Sequence, residues 1–161
     1  SVAKAIGIPF LNLDKKAEFR EQIIGKFISD YFSALTPNPC IECNKKMKFG
    51  AFLDFAKENG FDYIATGHYA KIGYSEKEKL HFLSAAPSKK DQSYFLYRLK
   101  SEQLARVIFP LGEFENKEQV REVGEKAGLS NSKKKDSQEV CFIPDDDYAT
   151  YTILIRSLWN G

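Results

Sequence analysis

The sequence predicts an α/β fold, a doubly wound parallel sheet followed by a small, mostly helical region. Two short apolar segments, residues 10–14 and 62–66, indicate buried strands. Between them, residues 15–35 and 49–56 place apolar side chains at helical spacing, and Asn59-Gly60 is a typical helix end. Alternation of strands and helices is characteristic of a parallel sheet, in which ligands bind at the carboxyl ends of the strands.

Beyond residue 66 the predicted elements are shorter. Residues 69–83 alternate apolar and polar side chains around the charged turn 75–79, which predicts a β-hairpin. We also predict an aromatic helix opened by residues 89–93 and a helix at 102–107. They are followed by an amphipathic helix at 117–126, capped by Asn116, and a strand at 139–144. We divide the chain into the nucleotide-binding part with its hairpin (1–86), a central region (87–144) and a tail of uncertain nature (145–161).

Composition indicates a folded domain. The 161 residues are 43% hydrophobic and 14% aromatic, which is enough apolar surface for a packed core. The net charge is only +2, but lysines cluster at 45–48, 89–90 and 133–135, so local basic patches are expected. Three cysteines in a chain rich in lysine and glutamate fit a reducing cytoplasm, and no apolar run is long enough to cross a membrane.

The first residues suggest that the chain is part of a longer protein. Residues 1–9 resemble the end of a helix, a glycine stop and the approach to a strand. No initiator methionine or earlier strand precedes them. We therefore expect a fragment whose first βα unit is missing.

The most informative stretch is residues 36–49, which contains two prolines and two of the three cysteines. Asn38 and Pro39 have the residue types preferred at the N-cap and first position of a helix. On that helix Cys40 and Cys43 are three residues apart and share a face. The helix N-terminus and three nearby lysines should stabilise a thiolate, so we expect reactive thiols.

Spacing alone leaves several interpretations of this motif open. A C-x-x-C pair is most often half of a zinc site, but Cys141, His68 and His81 do not form a second pair. A redox pair of the thioredoxin type is possible, although a proline-rich loop stands where a strand should precede it. A third cysteine leaves sulfur handling or an iron–sulfur cluster open.

Four ordered blocks carry a resemblance to a known family. They are T-P-N-P-C-I-E-C-N-K-K-M-K-F (36–49), Y-I-A-T-G-H-Y-A (63–70), K-D-Q-S-Y-F-L (90–96) and K-K-D-S-Q-E-V-C-F-I (134–143). Together they resemble the tRNA-specific 2-thiouridylases (the MnmA/TrmU family) over about residues 7–144. The resemblance implies an adenine-nucleotide α-hydrolase-like sheet, a small central tRNA-contacting region and a C-terminal β-barrel.

The resemblance also implies a function. The family uses ATP, with Mg²⁺, to adenylate the 2-oxygen of the wobble uridine of certain tRNAs and replaces that oxygen with sulfur. The implied partners are tRNA and a protein that donates persulfide sulfur, either a sulfur-relay protein or a cysteine desulfurase; no membrane is implied.

By the same resemblance, each block has a role in this chain. Cys43 is the expected nucleophile and Cys141 the expected persulfide carrier. The remaining implied site residues are Asn38, Pro39 and Cys40 at the target base, Gly67 at ATP, and His68, Lys90, Asp91 and Gln92 at tRNA.

Chemistry supports this assignment. Exchange of C=O for C=S needs an activated oxygen and a soft sulfur nucleophile, which adenylation and a persulfide supply. A second thiol can then release the sulfur, so two distant cysteines must meet in space. The target base must leave its stack to be reached, and tRNA could order the loop around Cys141 as a lid.

The chain also departs from the family pattern. The S-G-G-x-D-S-type phosphate loop and the β-barrel are absent, so we expect this chain alone to bind ATP no tighter than about 1 mM. Some relatives have aspartate at the position of Cys40, so this thiol is not expected to be essential. Tyr94, Phe95 and Tyr97 are expected to lie in the core, and His81 on the surface.

Three hypotheses follow from the sequence. We favour a fragment of a tRNA 2-thiouridylase. The alternatives are a sulfurtransferase that binds an iron–sulfur cluster through all three cysteines, and a non-catalytic module that binds RNA or a partner.

Overall fold

The structure is a computed structural model, and it describes residues 2–129, 140–143 and 147–159. The α-helices are α1 (Val2–Ala5), α2 (Lys16–Phe19), α3 (Lys26–Phe32), α4 (Pro39–Cys43), α5 (Phe52–Glu58), α6 (Ser101–Leu104), α7 (Lys117–Lys126) and α8 (Tyr148–Trp159). The strands are β1 (Ile64–Ala65), β2 (Lys71–Ser75), β3 (Leu80–Ser84) and β4 (Val107–Ile108). Arg20–Gly25 and Asn44–Ala51 are π-helical, and Ser93–Leu96 is a 3₁₀-helix.

Two long helices form the framework of the domain. The π-helical segment Arg20–Gly25 joins α2 to α3, which confirms the helix predicted over residues 15–35. The segment Asn44–Ala51 joins α4 to α5, so the cysteine motif and residues 49–56 belong to one continuous helix where two were predicted. This helix ends at Glu58 and is followed by Asn59 and by Gly60, whose φ of +78° is the left-handed conformation that glycine adopts without strain.

Strands β1 and β4 form a parallel pair, with Ile64 opposite Val107 and Ala65 opposite Ile108. This pair confirms the predicted α/β class. It also corrects the helix predicted at residues 102–107, because α6 ends at Leu104 and Val107 belongs to a strand. Val107 is 6% exposed, and its burial beside Ile64 together with its β-branched side chain favours the extended conformation.

Two predicted strands are wrong. Residues 10–14 have no regular structure, with Phe10 76% and Leu11 60% exposed, and no strand among the described residues pairs with them. Residues 140–143 form a turn in which the Ile143 amide donates to the Val140 carbonyl at 3.0 Å, while 139 and 144 lie outside the described residues. The turn packs its apolar side chains on helices, so no sheet holds it extended.

The hairpin of β2 and β3 confirms the prediction for residues 69–83. Helix α7 confirms both the predicted bounds and the predicted cap, since the Asn116 Oδ1 accepts from the Gln119 amide at 3.0 Å. Along the described chain, no helix combines the length and the apolar character needed to span a membrane.

Two hydrophobic clusters hold these elements together. The larger one packs the long cysteine-bearing helix on the parallel strands, with the buried side chains Phe49, Leu53, Ala56, Ile64, Ala70, Leu96 and Val107. The smaller one packs α3 on the 140–143 turn and α8 through Phe27, Ile28 and Ile143. The Phe142 ring lies edge-on to Phe19 at 5.9 Å and to Phe27 at 5.5 Å. This contact fixes the position of the third cysteine.

Candidate functional site

The cysteine helix begins as the sequence predicts. Asn38 has extended backbone at the N-cap, although its side chain makes no capping hydrogen bond, and Pro39 occupies the first turn. Pro39 and Ile41 are buried, which turns Cys40 outward and leaves Cys43 half-buried. The helix therefore presents two free thiols at different depths.

Cys141 lies within electrostatic range of both other thiols. Burial is the largest cause of the raised pKa of Cys40 and of Cys43, and Cys141 raises both pKa values further, an effect that requires spatial proximity. Its neighbour Phe142 holds it there by packing on the helix of Phe19 and Phe27. The structure thus brings the cysteines of the first and fourth sequence blocks together, and all three are free.

The expectation of stabilised thiolates is wrong for this state of the protein. Burial raises the pKa of Cys43 and of Cys40, and it outweighs the opposing field of Lys48. The sequence indicated the helix N-terminus and the lysines, but it did not indicate that desolvation by the surrounding protein would outweigh them. Both cysteines therefore rest as protonated thiols.

Lys48 connects the thiols to His68. Its ammonium lowers the pKa of both helix cysteines and lies 3.5 Å from the His68 Nε2. Because an ammonium group can only donate, Nε2 is the acceptor, and Nδ1 carries the hydrogen that it shares with the Thr66 Oγ1 at 2.8 Å. Lysine clustering in the sequence pointed to this region without singling out Lys48.

His68 is 7% exposed and packs against the rings of Phe49 and Phe109, with centroid distances of 5.7 and 5.9 Å. Burial, with a smaller contribution from Lys48, lowers the pKa of His68 to about 4. The imidazole is therefore neutral near pH 7. In this arrangement its polar contacts are with Thr66 and Lys48, and the contact with tRNA stays a prediction.

The His68 pKa leads to a stability prediction for the full-length protein. The unfolded chain binds a proton below about pH 6.5, whereas folded His68 resists protonation down to about pH 4. The stabilising effect is therefore complete above pH 6.5 and is lost as the pH falls. We expect about 2 kcal/mol to be lost between pH 7 and pH 5.

Denaturant unfolding at the two pH values measures this loss. His68→Gln should remove about 2 kcal/mol of the difference, and His81→Gln is the matched control. If both variants kept the wild-type pH dependence, the buried neutral imidazole would not be its source.

Gly67 lies at the carboxyl end of β1, where the sequence placed a ligand-binding edge. It is exposed, and a Cβ built on it would meet only the Leu111 Cδ1, at 3.7 Å. Packing within the chain therefore does not require glycine at position 67. An accessible backbone at this edge suits close approach by a ligand, as the prediction of ATP contact requires.

Residues 90–92 have divided roles. The Asp91 carboxylate accepts from the Ala86 amide at 2.7 Å and from the Ser93 hydroxyl at 2.5 Å. Gln92 exchanges hydrogen bonds with the backbone of Tyr69 at 2.7 and 3.1 Å. Lys90 is exposed and lines an open cavity at the start of α7 together with Lys89 and Lys117. Asp91 and Gln92 shape the loop, and contact of residues 90–92 with tRNA stays a prediction.

A second cavity, of about 360 Å³, lies beside Asn38 and Pro39. Its wall includes Tyr97, Arg98 and Glu42, and the Arg98 guanidinium donates to the Glu42 carboxylate. These residues were not predicted from the sequence to line a cavity, because Arg98 and Glu42 are distant in the chain and no motif links them. The expectation that Tyr94 and Tyr97 lie in the core is also wrong, since they are 66% and 63% exposed.

Within residues 2–129, 140–143 and 147–159, no group of three histidine, cysteine, aspartate or glutamate side chains could hold a metal ion. The lysine run at 133–135 lies outside the described residues.

Comparison with known proteins gives a consistent result. Residues 1–145 match the family model described as the tRNA methyl transferase HUP domain. The chain is 50% identical to the tRNA-specific 2-thiouridylase MnmA of Pelobacter propionicus over 150 residues, which is 93% of this chain. It is 51% identical to that of Treponema denticola over 99% of this chain, and 44% identical to that of Streptococcus pyogenes over 94%.

These matches cover only part of each relative. The chain spans 42%, 43% and 40% of the lengths of the three proteins. The Treponema match includes most of residues 145–161, so the tail lies within the shared region.

Proposed function

Because this chain belongs to the family of the tRNA methyl transferase HUP domain, we propose that the full-length protein is a tRNA 2-thiouridylase. The names of its relatives support 2-thiolation of tRNA uridine. The description of the family model mentions methyl transfer, but the site offers the groups that sulfur transfer needs. The observation that carries the proposal is the placement of Cys141 near Cys40 and Cys43, where the packing of Phe142 on Phe19 and Phe27 holds it.

In the proposed reaction, the uridine 2-oxygen attacks the α-phosphate of ATP and pyrophosphate leaves. Cys141 carries a persulfide received from a donor protein. Its terminal sulfur attacks C2 of the adenylated uridine, AMP leaves with the former 2-oxygen, and the uridine is joined to Cys141 through a disulfide.

Cys43 completes the transfer. Its thiolate attacks the Sγ of Cys141, the bond between the two persulfide sulfurs breaks, and the electron pair leaves on the sulfur that becomes the thiocarbonyl of the uridine. Cys43 and Cys141 are then joined as a disulfide. A dithiol reductant must supply two electrons before the next cycle.

The remaining residues have supporting roles in this proposal. Asn38, Pro39 and Cys40 receive the uracil, and Gly67 allows the ATP backbone contact at the end of β1. The raised thiol pKa values mean that Cys43 must lose its proton during the cycle, and Lys48 is the described cation that favours this. Mg²⁺ would accompany the ATP phosphates.

The proposal is tested by turnover of the full-length protein. With ATP, Mg²⁺, tRNA and a persulfide donor, but without reductant, we expect one round of thiolation. Mass spectrometry of the protein afterwards should find a disulfide between Cys43 and Cys141, because both groups act on one sulfur atom.

Omission of ATP is the control and should leave the tRNA unchanged, although Cys141 can still receive a persulfide from the donor. A disulfide found only between Cys40 and Cys43 would contradict the assigned roles. Absence of 2-thiouridine under all conditions would contradict the function.

A further inference from the structure

Tyr94 on the 3₁₀-helix and Tyr97 directly after it are exposed to a degree unusual for aromatic side chains. Tyr94 and Tyr97 are 66% and 63% exposed, and their ring centroids lie 6.2 Å apart with an interplanar angle of 31°. Both rings leave a large apolar face in water. An exposed aromatic face of this kind suits stacking on another flat ring.

The backbone below these rings is firmly held. Leu96, between the two tyrosines, is 1% exposed and belongs to the main core. The Asn44 amide group donates to the Phe95 carbonyl at 3.1 Å, which ties the 3₁₀-helix to the residue that follows Cys43. The tyrosines are therefore fixed relative to the cysteine helix, and this reduces the entropy lost on binding.

Tyr97 also faces the proposed base site. It lines the cavity of about 360 Å³ that Asn38 and Pro39 border. Two cations and two carboxylates line this cavity, since Arg98 pairs with Glu42 and Lys26 pairs with Asp30.

We propose that Tyr97, with Tyr94 beside it, stacks on an unpaired RNA nucleotide next to the uridine held at Asn38 and Pro39. When the target base leaves its stack, a neighbouring base loses one stacking partner and its face becomes available. Stacking on tyrosine replaces that partner without reading the identity of the base. This inference rests on the proposed function and adds a second nucleotide contact to it.

The experiment uses the full-length protein and anticodon stem-loop RNAs with 2-aminopurine at either nucleotide flanking the target uridine. For one of the two RNAs, binding to the wild type should quench the fluorescence through stacking. Tyr97→Ala should remove the quenching and raise the Kd about 5- to 150-fold, the range of one lost base–aromatic stack. Tyr97→Phe keeps the ring and should stay within about twofold of wild type.

Tyr63→Ala is the matched control, because Tyr63 is 57% exposed but does not line the cavity. It should leave both the quenching and the Kd unchanged. If Tyr97→Ala resembled this control while the wild type thiolated the RNA, the stacking contact would be disproved and the function retained.

Two further results would overturn the inference. A loss in Tyr97→Phe as large as that in Tyr97→Ala would assign the effect to the hydroxyl. A change of sedimentation from dimer to monomer in Tyr97→Ala, with RNA binding intact, would assign the surface to a second copy of the chain. If the wild type neither bound nor thiolated the RNA, the proposed function itself would fail.

Discussion

Replacement of Cys43 by serine in the full-length protein should reduce tRNA thiolation by at least roughly 10³-fold, or ~4 kcal/mol of transition-state stabilisation. A serine hydroxyl cannot attack the Sγ of Cys141 and release the sulfur, because the reaction needs a thiolate. Cys40→Ser should lose less than about tenfold, or ~1.4 kcal/mol, since the side chain there only has to accommodate the base.

The structure makes this contrast a strict test. Burial raises the pKa of both thiols, and Lys48 lowers both, so electrostatics do not distinguish Cys40 from Cys43. What differs is their depth, since Cys40 is exposed and Cys43 half-buried. A difference in activity would therefore reflect the position of each thiol relative to the reacting sulfur.

The measurement is the amount of 2-thiouridine per tRNA in single-turnover reactions, with circular dichroism of each variant as a check of folding. A cluster mechanism predicts a different pattern, because loss of any one of three ligands should disable it. If Cys40→Ser and Cys43→Ser were equally inactive while folded, we would abandon the persulfide mechanism in favour of the iron–sulfur one.

Elements fixed by local interactions were predictable from the sequence. The helical spacing of apolar residues in 15–35 and the helix cap at Asn116 depend only on residues close in sequence. Both predictions were confirmed. Residues 10–14 have the composition of a strand, but a strand needs a partner, and the described residues provide none. Val107 lies in a strand because of Ile64, which the local pattern of residues 102–107 does not reveal.

The same distinction between local and long-range interactions applies to the candidate site. The positions of Cys40 and Cys43 on one helix face followed from local rules, and the approach of Cys141 was implied by family resemblance. The pKa of the thiols could not be deduced, because it depends on burial that no short segment determines. The ion pair of Arg98 with Glu42 and the exposure of Tyr97 likewise depend on how the 3₁₀-helix packs on the cysteine helix.

Substitution of alanine for Gly112 should destabilise the domain by about 4 kcal/mol, more than is usual for overpacking. Gly112 is buried and closes the turn after β4, where its amide donates to the Phe109 carbonyl at 3.0 Å. A Cβ at this position would lie 2.3 Å from the carbonyl oxygen of Ala70 and 3.2 Å from that of Phe109. Ala70 is fully buried and leads into β2, so its backbone has no room to retreat.

Gly73 provides the matched control, because the clash there is equally close but of another kind. A Cβ on Gly73 would lie 2.4 Å from the Phe82 ring. That ring is 45% exposed and can rotate towards solvent, so Gly73→Ala should cost less than about 1.5 kcal/mol. Urea unfolding of both variants of the full-length protein measures the difference. Equal losses of unfolding free energy would show that the Ala70 backbone moves as easily as the exposed Phe82 ring. The close approach of the β4 turn to β2 would then not be a rigid part of this fold.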